Sequence, residues 1–479
     1  FFVHDYDPNT FNGAFVFGGG SAPGLDADNN PTGQTISING LEQYRRALLN
    51  LPGGSPSTYQ VTAGTPLVPL SQWRVALFGQ DAIKLAPRLT ALTALRYQMQ
   101  TTPGSFANLS PRLGLAWSPD RKSAWVIHLR AGIFQDPNPQ NYATEVYRLN
   151  GARQRQTTVY SPSYLNPLVP IPGSIQVGTV NQFPRVLNQV SSLQTMLNIE
   201  RSFHDGWHVS PALYCFSHWG VLQTRNINAP IIGSSVGIPP DPIAALASPR
   251  PGATNENVME YQKSGHAHGC IYVGGGDRNT GKRATLSVYY VRVNTKSDAD
   301  DSAGSPQSSY SNRGEIAPVS WAADNAVVAS GALHLPYKLE WSWILDARNG
   351  RRYNMAIGTD ANGDGIFNDR PSYASASGPG VYSTSFGLLT TNTVNGDVPR
   401  NLGTMPDVLH LDANLSRIFT LNPGDKDHPR TLSLNARSSN LVNHTNVTAV
   451  NTILSSSTLG APLTAETARR VELGVRFAF

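Results

Sequence analysis

The chain has little charge, almost no cysteine and no long apolar run. Of its 479 residues, 14% are charged and only Cys215 and Cys270 are cysteines, which excludes a disulfide framework or a cysteine-rich zinc cluster. No apolar stretch approaches the ~20 residues of a membrane helix, but the strands of a membrane β-barrel alternate and need no such stretch. The net charge of +5 is scattered without a basic run, so no nucleic-acid partner is predicted.

Turn-forming residues and alternating apolar residues are plentiful instead. The chain contains 43 glycines and 35 prolines, a composition typical of many strands joined by turn-rich loops. Apolar and polar side chains alternate in many segments; Leu113, Leu115 and Trp117, for example, alternate with Arg112 and Gly114. A period of two residues predicts strands with one apolar face, and hence an all-β protein.

The last nine residues show this alternation most clearly. One face carries Val471, Leu473, Val475, Phe477 and Phe479, and the opposite face carries two charged residues, a glycine and an alanine. A terminal strand that is apolar on one side and charged on the other is typical of a barrel wall with lipid outside and a water-filled lumen inside.

The connections between the predicted strands alternate between short and long. Short turns are predicted near residues 85–87, 118–121, 204–206, 274–281, 335–337 and 422–425. Long loops are predicted near 19–70, 136–189, 221–256, 294–323, 350–406 and 443–466. Short periplasmic turns and long extracellular loops are the pattern of an outer-membrane barrel.

These observations predict an antiparallel, meandering transmembrane β-barrel of about fourteen strands, with the first strand near Phe11–Phe17. The alternative is a soluble all-β protein or a propeller. A propeller would show a blade repeat of ~40–50 residues, and the sequence contains none.

A candidate cation-binding motif lies in the loop near 350–406. Asp360, Asn362 and Asp364 stand at alternating positions before a glycine, and Asn368 and Asp369 follow. Oxygen ligands at this spacing suit Ca²⁺. Pro371 stands where a closing glutamate would complete an EF-hand, so any Ca²⁺ binding is expected to be weak. The alternative is a loop held by Asx-turn hydrogen bonds of its own side chains.

One cysteine and two neighbouring histidines form a second, weaker candidate for a metal site. His266, His268 and Cys270 share one strand face, which could chelate zinc or copper, but polar lumen-facing residues explain the pattern better. Alternation places Cys215 on the lipid side and Cys270 on the lumen side, which predicts two free thiols. The sequence contains no G-x-S-x-G, Walker A or H-E-x-x-H motif, so no enzyme is predicted.

The sequence resembles the barrel of TonB-dependent transporters, in particular the Oar-like outer-membrane receptors. The resemblance rests on motifs in the family's order along the chain, and on a terminal segment similar to the C-terminal assembly signal of outer-membrane barrels. The motifs are Leu77–Asp81, Pro87–Thr90, Ser110–Trp117, Arg130–Phe134, Asp360–Gly365, Asn368–Pro371, Asn440–Asn446 and Arg470–Phe479.

The resemblance implies active uptake of an unidentified ligand across the outer membrane of a Gram-negative bacterium. It also implies a 22-strand barrel of which this chain is the C-terminal part, without the plug and the N-terminal regions that contact TonB. The expected partners are outer-membrane lipid, the barrel assembly machinery, the TonB system and the ligand. A passive porin-type channel and an adhesive surface barrel are the alternatives. The first residues, Phe1-Phe2-Val3-His4, include no methionine, which suggests a fragment or a processed product.

Overall fold

The chain forms a long antiparallel sheet with long, structured loops at one end. The structure is a computed structural model that describes residues 2–122, 124–231, 248–281, 283–300, 304–422, 424 and 430–479. The predicted turn near 422–425 and the predicted loops near 221–256 and 294–323 lie partly outside these residues. No helix in the described ranges is long and apolar enough to cross a membrane.

Thirteen long strands of the described residues follow one another in an antiparallel meander, here called the wall. They are β1 (Arg74–Ala86), β2 (Leu89–Gln100), β3 (Ser105–Trp117), β4 (Trp125–Asp136), β5 (Val190–Ser202), β6 (Ala212–Asn226), β7 (Glu256–Asn279), β8 (Ala284–Ser297), β9 (Asn325–Leu335), β10 (Leu339–Arg348), β11 (Val408–Thr420), β12 (Thr431–Ser439) and β13 (Arg470–Ala478).

The connections within the wall are short at one end, the short-turn end, and mostly long at the other, the long-loop end. At the short-turn end, β1 and β2 are joined by residues 87–88, and β9 and β10 by the 3₁₀ turn Pro336–Lys338. At the long-loop end, residues 349–407 join β10 to β11, and residues 440–469 join β12 to β13. Residues 2–73 also lie before β1 at the long-loop end.

The remaining elements belong to the connections or flank the wall. The helices are α1 (Gly40–Leu48) and α2 (Gln140–Arg148). The shorter strands are Phe2–Tyr6, Ala14–Val16, Gly20–Leu25, Pro31–Ile38, Thr58–Gly64, Leu67–Ser71, Gln154–Tyr160, Ile175–Gln182, Trp207–Val209, Ala317–Pro318, Arg352–Tyr353, Ser372–Tyr373, Val381–Thr384, Gly387–Thr390, Gly403–Thr404, Val447–Val450 and Pro462–Ala465.

The prediction of a first wall strand near Phe11–Phe17 is wrong. Only Ala14–Val16 is a strand there, and it pairs with Thr58–Gly64, which in turn pairs with Gln154–Tyr160. In the described part of the chain, these strands join the wall only through Ile175–Gln182, which pairs with Gln154–Tyr160 and lies parallel to the first residues of β7. They are not part of the meander, so the described wall begins at Arg74. Local alternation could not reveal this, because a loop strand and a wall strand share the same period.

One face of the wall is apolar and exposed. A lateral row of Leu115, Leu129, Leu197, Leu213 and Tyr272 crosses β3 to β7 in register. Four of these side chains are exposed large hydrophobic groups, all but Leu197. An exposed apolar face of this extent is the surface that a bilayer covers.

The opposite face of the wall carries polar and charged groups. Near the short-turn end, His208 lies 3.8 Å from Glu200 and 3.3 Å from Asp277, and His128 lies 3.6 Å from Glu200. A row of ionisable side chains on this face is consistent with a water-filled lumen.

The C-terminal strand follows the predicted alternation. In β13, Val471, Leu473, Val475 and Phe477 are exposed, as is Phe479 after it. They continue the apolar face, because Leu473 pairs with Ala436 and Val475 with Leu434. The role of these five residues as an assembly signal stays a prediction.

The two edges of the wall each pair on one side only. Within the described residues, β1 forms a ladder with β2 alone and β13 with β12 alone. The strand pairings do close on themselves at one place, because Trp207–Val209 and β6 each pair with both β5 and β7. This circuit does not join the two edges.

The prediction of two free thiols is wrong, because Cys215 and Cys270 form a disulfide. They face each other directly in the β6–β7 ladder, where the Cα atoms are 4.0 Å apart. Opposed residues of an antiparallel pair project to the same side, so Cys270 lies on the apolar face with Cys215. His266 and His268 share this face, not the lumen face, and both are exposed near the end of the β7–β8 ladder.

The disulfide gives a first testable prediction. Peptide mapping of the protein from outer membranes, without reductant, is expected to yield a crosslinked peptide containing Cys215 and Cys270. Reduction before digestion should release the two halves, which provides the control. Alkylation of both thiols in the unreduced, folded protein would contradict the observed register of β6 and β7.

Candidate functional site

The predicted cation motif lies in the connection between β10 and β11, and it is buried. Asp360, Asn362, Asp364 and Asp369 are only 3%, 1%, 0% and 0% exposed. Asn368 is half-buried beside them. The structure therefore brings the five predicted residues into one group, here called the aspartate cluster, beneath the surface of the loops.

Backbone N–H groups occupy the carboxylate oxygens of the aspartate cluster. The Asp360 carboxylate accepts hydrogen bonds from the N–H groups of Asp364 at 3.1 Å and Gly365 at 2.8 Å. The Asp369 carboxylate accepts one from Ala361 N–H at 2.7 Å. Gly365 has a φ of +87°, and a Cβ there would lie 2.5 Å from the Asn257 amide, so this turn requires glycine. The contacts are those of a loop held by Asx turns.

The aspartate cluster also ties neighbouring connections together. Asp364 accepts a hydrogen bond from Ser309 N–H at 2.6 Å, and its carbonyl accepts one from Asn226 at the end of β6 at 2.6 Å. Asn362 donates to the carbonyl of Gln307 at 2.7 Å. The connection between β8 and β9, the connection between β10 and β11 and the top of β6 therefore form one hydrogen-bonded unit.

Burial raises the pKa of all three carboxyls above the ordinary value of 3.8. The pKa rises to about 7 at Asp360, about 6 at Asp364 and about 8 at Asp369. Desolvation is the largest cause in each case, and repulsion from a neighbouring carboxylate adds to it at Asp360 and Asp369. The three carboxyls of the cluster therefore titrate between about pH 6 and pH 8, well above the range of an exposed aspartate.

These shifts predict that the loop is more stable in mild acid than in mild base. A carboxyl with a raised pKa in the folded state contributes stability that is complete below its unfolded pKa. That stability is lost as the pH rises through the folded values of about 6 to 8. We expect hydrogen-exchange protection at Gly365 and Ile366, corrected for intrinsic exchange, to fall between pH 5 and pH 8.5. Protection that rises over this range would contradict the prediction.

A second buried group of charges lies beside the aspartate cluster. Arg370 Nη1 is 2.8 Å from Glu315 Oε1, and Arg400 Nε is 3.8 Å from Glu315 Oε2. The side chains are 3%, 2% and 8% exposed for Arg370, Glu315 and Arg400. Arg370 also donates to the carbonyl of Val398 at 3.1 Å, and Arg400 to that of Ser297. Buried charges need such partners, and these contacts join the connection between β8 and β9 to the connection between β10 and β11.

Sequence reasoning assigned no role to any member of this triad. Arg370 directly follows the predicted cation motif but was not among its ligands, and Glu315 and Arg400 lie 55 and 30 residues from Arg370. No local pattern marks Glu315, because it stands in an irregular connection where period and composition carry no signal.

The remaining predicted metal ligands do not form a metal centre. Cys270 is bonded to Cys215, and His266 Nδ1 lies 3.5 Å from Asp298 Oδ2. Over the part of the chain that the structure describes, no three His, Cys, Asp or Glu side chains lie where they could hold a metal ion. Binding of Ca²⁺ by the aspartate cluster, which includes asparagines, stays a prediction.

The sequence matches a family described as "Outer membrane beta barrel domain" over residues 102–472. No curated protein matches it significantly. The match covers more than half of the chain, and ten of the thirteen wall strands, β3 to β12, lie within it. The family match therefore concerns the wall itself.

Several solved outer-membrane structures are similar to this fold. The outer membrane transporter YddB from Escherichia coli has a TM-score of 0.56 and 12% identity, over 88% of this chain and 47% of that chain. A mutant of the ferric enterobactin receptor PfeA from Pseudomonas aeruginosa has a TM-score of 0.50 and 13% identity, over 100% and 49%. The siderophore receptor PirA from Acinetobacter baumannii has a TM-score of 0.50 and 11% identity, over 86% and 46%. The chain spans about half the length of these structures, and at such identities the likeness shows the fold alone.

Proposed function

Because this chain belongs to the outer membrane β-barrel domain family and lies in the Gram-negative outer membrane, we propose that it is part of a TonB-dependent transporter barrel of the Oar-like type. The proposed activity is energised uptake of a ligand that is not yet identified. The observation that carries the proposal is the wall itself: a thirteen-strand meander with an apolar outer face, which corresponds to about half of larger transporter and receptor chains.

The unpaired edges of β1 and β13 support a larger barrel. Among the described strands, no partner strand pairs with the outer edge of β1 or of β13. Each of these edges therefore carries a row of backbone N–H and C=O groups that no ladder satisfies. In a bilayer every such group must be satisfied, at a cost of several kcal/mol for each one left open. We therefore infer that further strands pair with both edges in the membrane, as in the 22-strand barrel expected from the resemblance.

The rigid long-loop end supports ligand capture at the cell surface. The aspartate cluster and the triad of Glu315, Arg370 and Arg400 connect segments that are distant in sequence through buried hydrogen bonds and ion pairs. Loops connected in this way would present a defined surface, because separating them would leave buried charges without their partners.

The proposed partners follow from the parts of the molecule. Outer-membrane lipid would contact the apolar face, and the barrel assembly machinery would read the alternating segment Val471–Phe479. The TonB system would act through regions outside this chain. The proposal includes no enzymatic activity.

The proposal is tested with the full gene product, purified in detergent. The periplasmic domain of TonB from the same bacterium is expected to bind it, and reconstitution into a planar bilayer is expected to give no steady conductance, because a plug would fill the lumen. Steady conductance without TonB binding would overturn the proposal in favour of a passive channel. Loss of surface attachment after loop deletion, without TonB binding, would favour an adhesive barrel.

The proposed Ca²⁺ interaction is expected to be weak. The Asp360 and Asp369 carboxylates already accept backbone N–H groups, so a cation would have to compete with these bonds. Calorimetry with millimolar Ca²⁺ on the wild type and on Asp364→Ala measures this directly. A larger heat in the wild type would support binding, whereas equal heats would leave only the Asx-turn role.

A further inference from the structure

A cavity of about 580 Å³ lies at the long-loop end, between the connection that joins β10 to β11 and the connection that joins β12 to β13. It is separate from the aspartate cluster, since none of the five cluster residues lines it. Its volume is within the usual range for pockets that hold small organic ligands.

The two connections that form this cavity are joined by backbone hydrogen bonds. Ala356 N–H donates to the Thr452 carbonyl at 3.0 Å, and Leu454 N–H donates to the Ala356 carbonyl at 2.9 Å. Val381–Thr384, which forms a hairpin with Gly387–Thr390, lines one side of the cavity together with the turn residues Ser385 and Phe386. The cavity therefore has a fixed backbone frame.

A small hydrophobic core holds the aromatic side chains of the cavity in place. Met355, Leu389, Val398 and Leu454 are at most 1% exposed and form this core. Packed against it are Tyr353, Tyr382 and Phe386, all three of which line the cavity. Rings that are supported from behind in this way lose little conformational entropy when a ligand stacks on them.

Hydroxyl groups make up most of the polar lining. They belong to the two tyrosines and to Ser383, Thr384, Ser385, Thr404, Ser456 and Ser457. Thr384 bonds to the Gly387 carbonyl and Ser456 to Asn451, but within the described chain the side chains of Ser383, Ser385, Thr404 and Ser457 make no hydrogen bond. These four hydroxyls are available to a ligand as both donors and acceptors.

The lining contains no charged side chain among its thirteen residues. An anionic ligand such as a ferric chelate, a phosphate or an acidic sugar would find no cation to compensate its charge there. The cavity thus selects against anions and for a neutral molecule that presents both apolar faces and many hydroxyls.

We propose that this cavity binds a neutral oligosaccharide. A pyranose ring has an apolar C–H face, which suits the aromatic rings, and a rim of hydroxyls, which suits the unbonded serine and threonine hydroxyls. The proposal names a ligand class that the transport proposal leaves open, and it does not depend on energised uptake. The sugar could come from a soluble oligosaccharide or from polysaccharide on the bacterium's own surface.

The test uses the full gene product in detergent and an array of neutral and acidic oligosaccharides, followed by calorimetry with the neutral glycan bound best. Binding of neutral glycans is expected, and the matched acidic glycans, such as oligogalacturonate, are expected to bind at least about tenfold more weakly. Binding of acidic glycans alone, or of no glycan, would overturn the proposal.

Variants locate the binding in the cavity. Tyr382→Ala is expected to weaken binding about tenfold, whereas Tyr382→Phe, which keeps the ring, should stay within about threefold of the wild type. Tyr373→Ala is the matched control, since Tyr373 is an exposed tyrosine of the same connection that does not line the cavity. Equal losses in Tyr373→Ala and Tyr382→Ala, or no loss in either, would overturn the proposal.

A further variant remains informative if Tyr382→Ala fails to fold. Ser457 is exposed at the cavity, and Ser457→Trp should fill it and abolish binding without touching the core beneath. Unchanged binding in Ser457→Trp would overturn the proposal.

Two further experiments identify the source of the sugar. A comparison with TonB binding then tests the glycan site independently of the transport proposal. Purified surface polysaccharide of the bacterium competes for binding if the ligand is its own glycan, whereas uptake of the radiolabelled soluble glycan identifies it as cargo. If TonB fails to bind while the glycan still binds, the transport proposal fails and the glycan site stands.

Discussion

Replacement of Glu315 by glutamine is expected to destabilise the long-loop end by about 3–5 kcal/mol, the usual effect of removing one partner from a buried ion pair. Glu315 lies 2.8 Å from the buried guanidinium group of Arg370 and 3.8 Å from that of Arg400, whose charge Asp300 and Asp298 also favour. A neutral amide keeps the size of the side chain but removes the carboxylate that pairs with the buried Arg370 guanidinium. The loss should therefore exceed that of any exposed ion pair.

The effect is measured by hydrogen exchange of peptides that cover residues 305–315, 360–370 and 396–401. Asp324→Asn is the control, because Asp324 and Arg352 also pair at the long-loop end, at 2.7 Å, but both are partly exposed. This pair is expected to contribute about 1 kcal/mol or less. Similar losses of protection in the two variants would show that burial of the triad adds nothing to loop stability.

Leu415→Arg is expected to destabilise the membrane-inserted barrel by about 2–4 kcal/mol, the usual cost of an arginine on the lipid face near the bilayer midplane. Leu415 is 40% exposed, lies in the middle of β11 and pairs with Trp341 on one side and Ala436 on the other. Because β11 has a partner on both sides, this position reports on the face of the wall rather than on an edge.

Ser416→Arg is the matched control, since Ser416 is the next residue and projects to the lumen face, opposite Glu340 and Asn435. Its effect is expected to be about 1 kcal/mol or less, because the arginine would reach water and an acidic neighbour. Denaturant unfolding of the full gene product in lipid vesicles, followed by heat-modifiable migration on gels, measures both variants. A larger loss in Ser416→Arg would reverse the assignment of the two faces.

The sequence by itself determined the class of fold and the position of most wall strands. Alternation of apolar and polar residues is a local property of a strand that separates two environments, so it can be read without knowing the partners. Segments such as Ser105–Trp117 and Arg470–Ala478 were therefore predictable, and so was the alternation of short and long connections. The composition of the loop near Asp360 also predicted its Asx turns as one of two alternatives.

The order of the wall strands was predicted as a meander, but only the tertiary structure decided the register between neighbouring strands and the pairing of the loop strands. Cys270 was predicted to face the lumen because two histidines share its face, but the β6–β7 ladder sets Cys215 opposite it. The histidines lie near the end of the β7–β8 ladder, where the outer face leaves the apolar band and polar side chains are tolerated. Ala14–Val16 has a strand's alternation, yet its partner is a loop strand.

The burial of Asp360, Asp364 and Asp369 and the pairing of Arg370 with Glu315 likewise depend on loops that are distant in sequence. Their pKa shifts and their stability arise from desolvation by other segments, which no local pattern encodes. Local period fixes the kind of element, whereas burial and charge compensation are properties of the assembled chain.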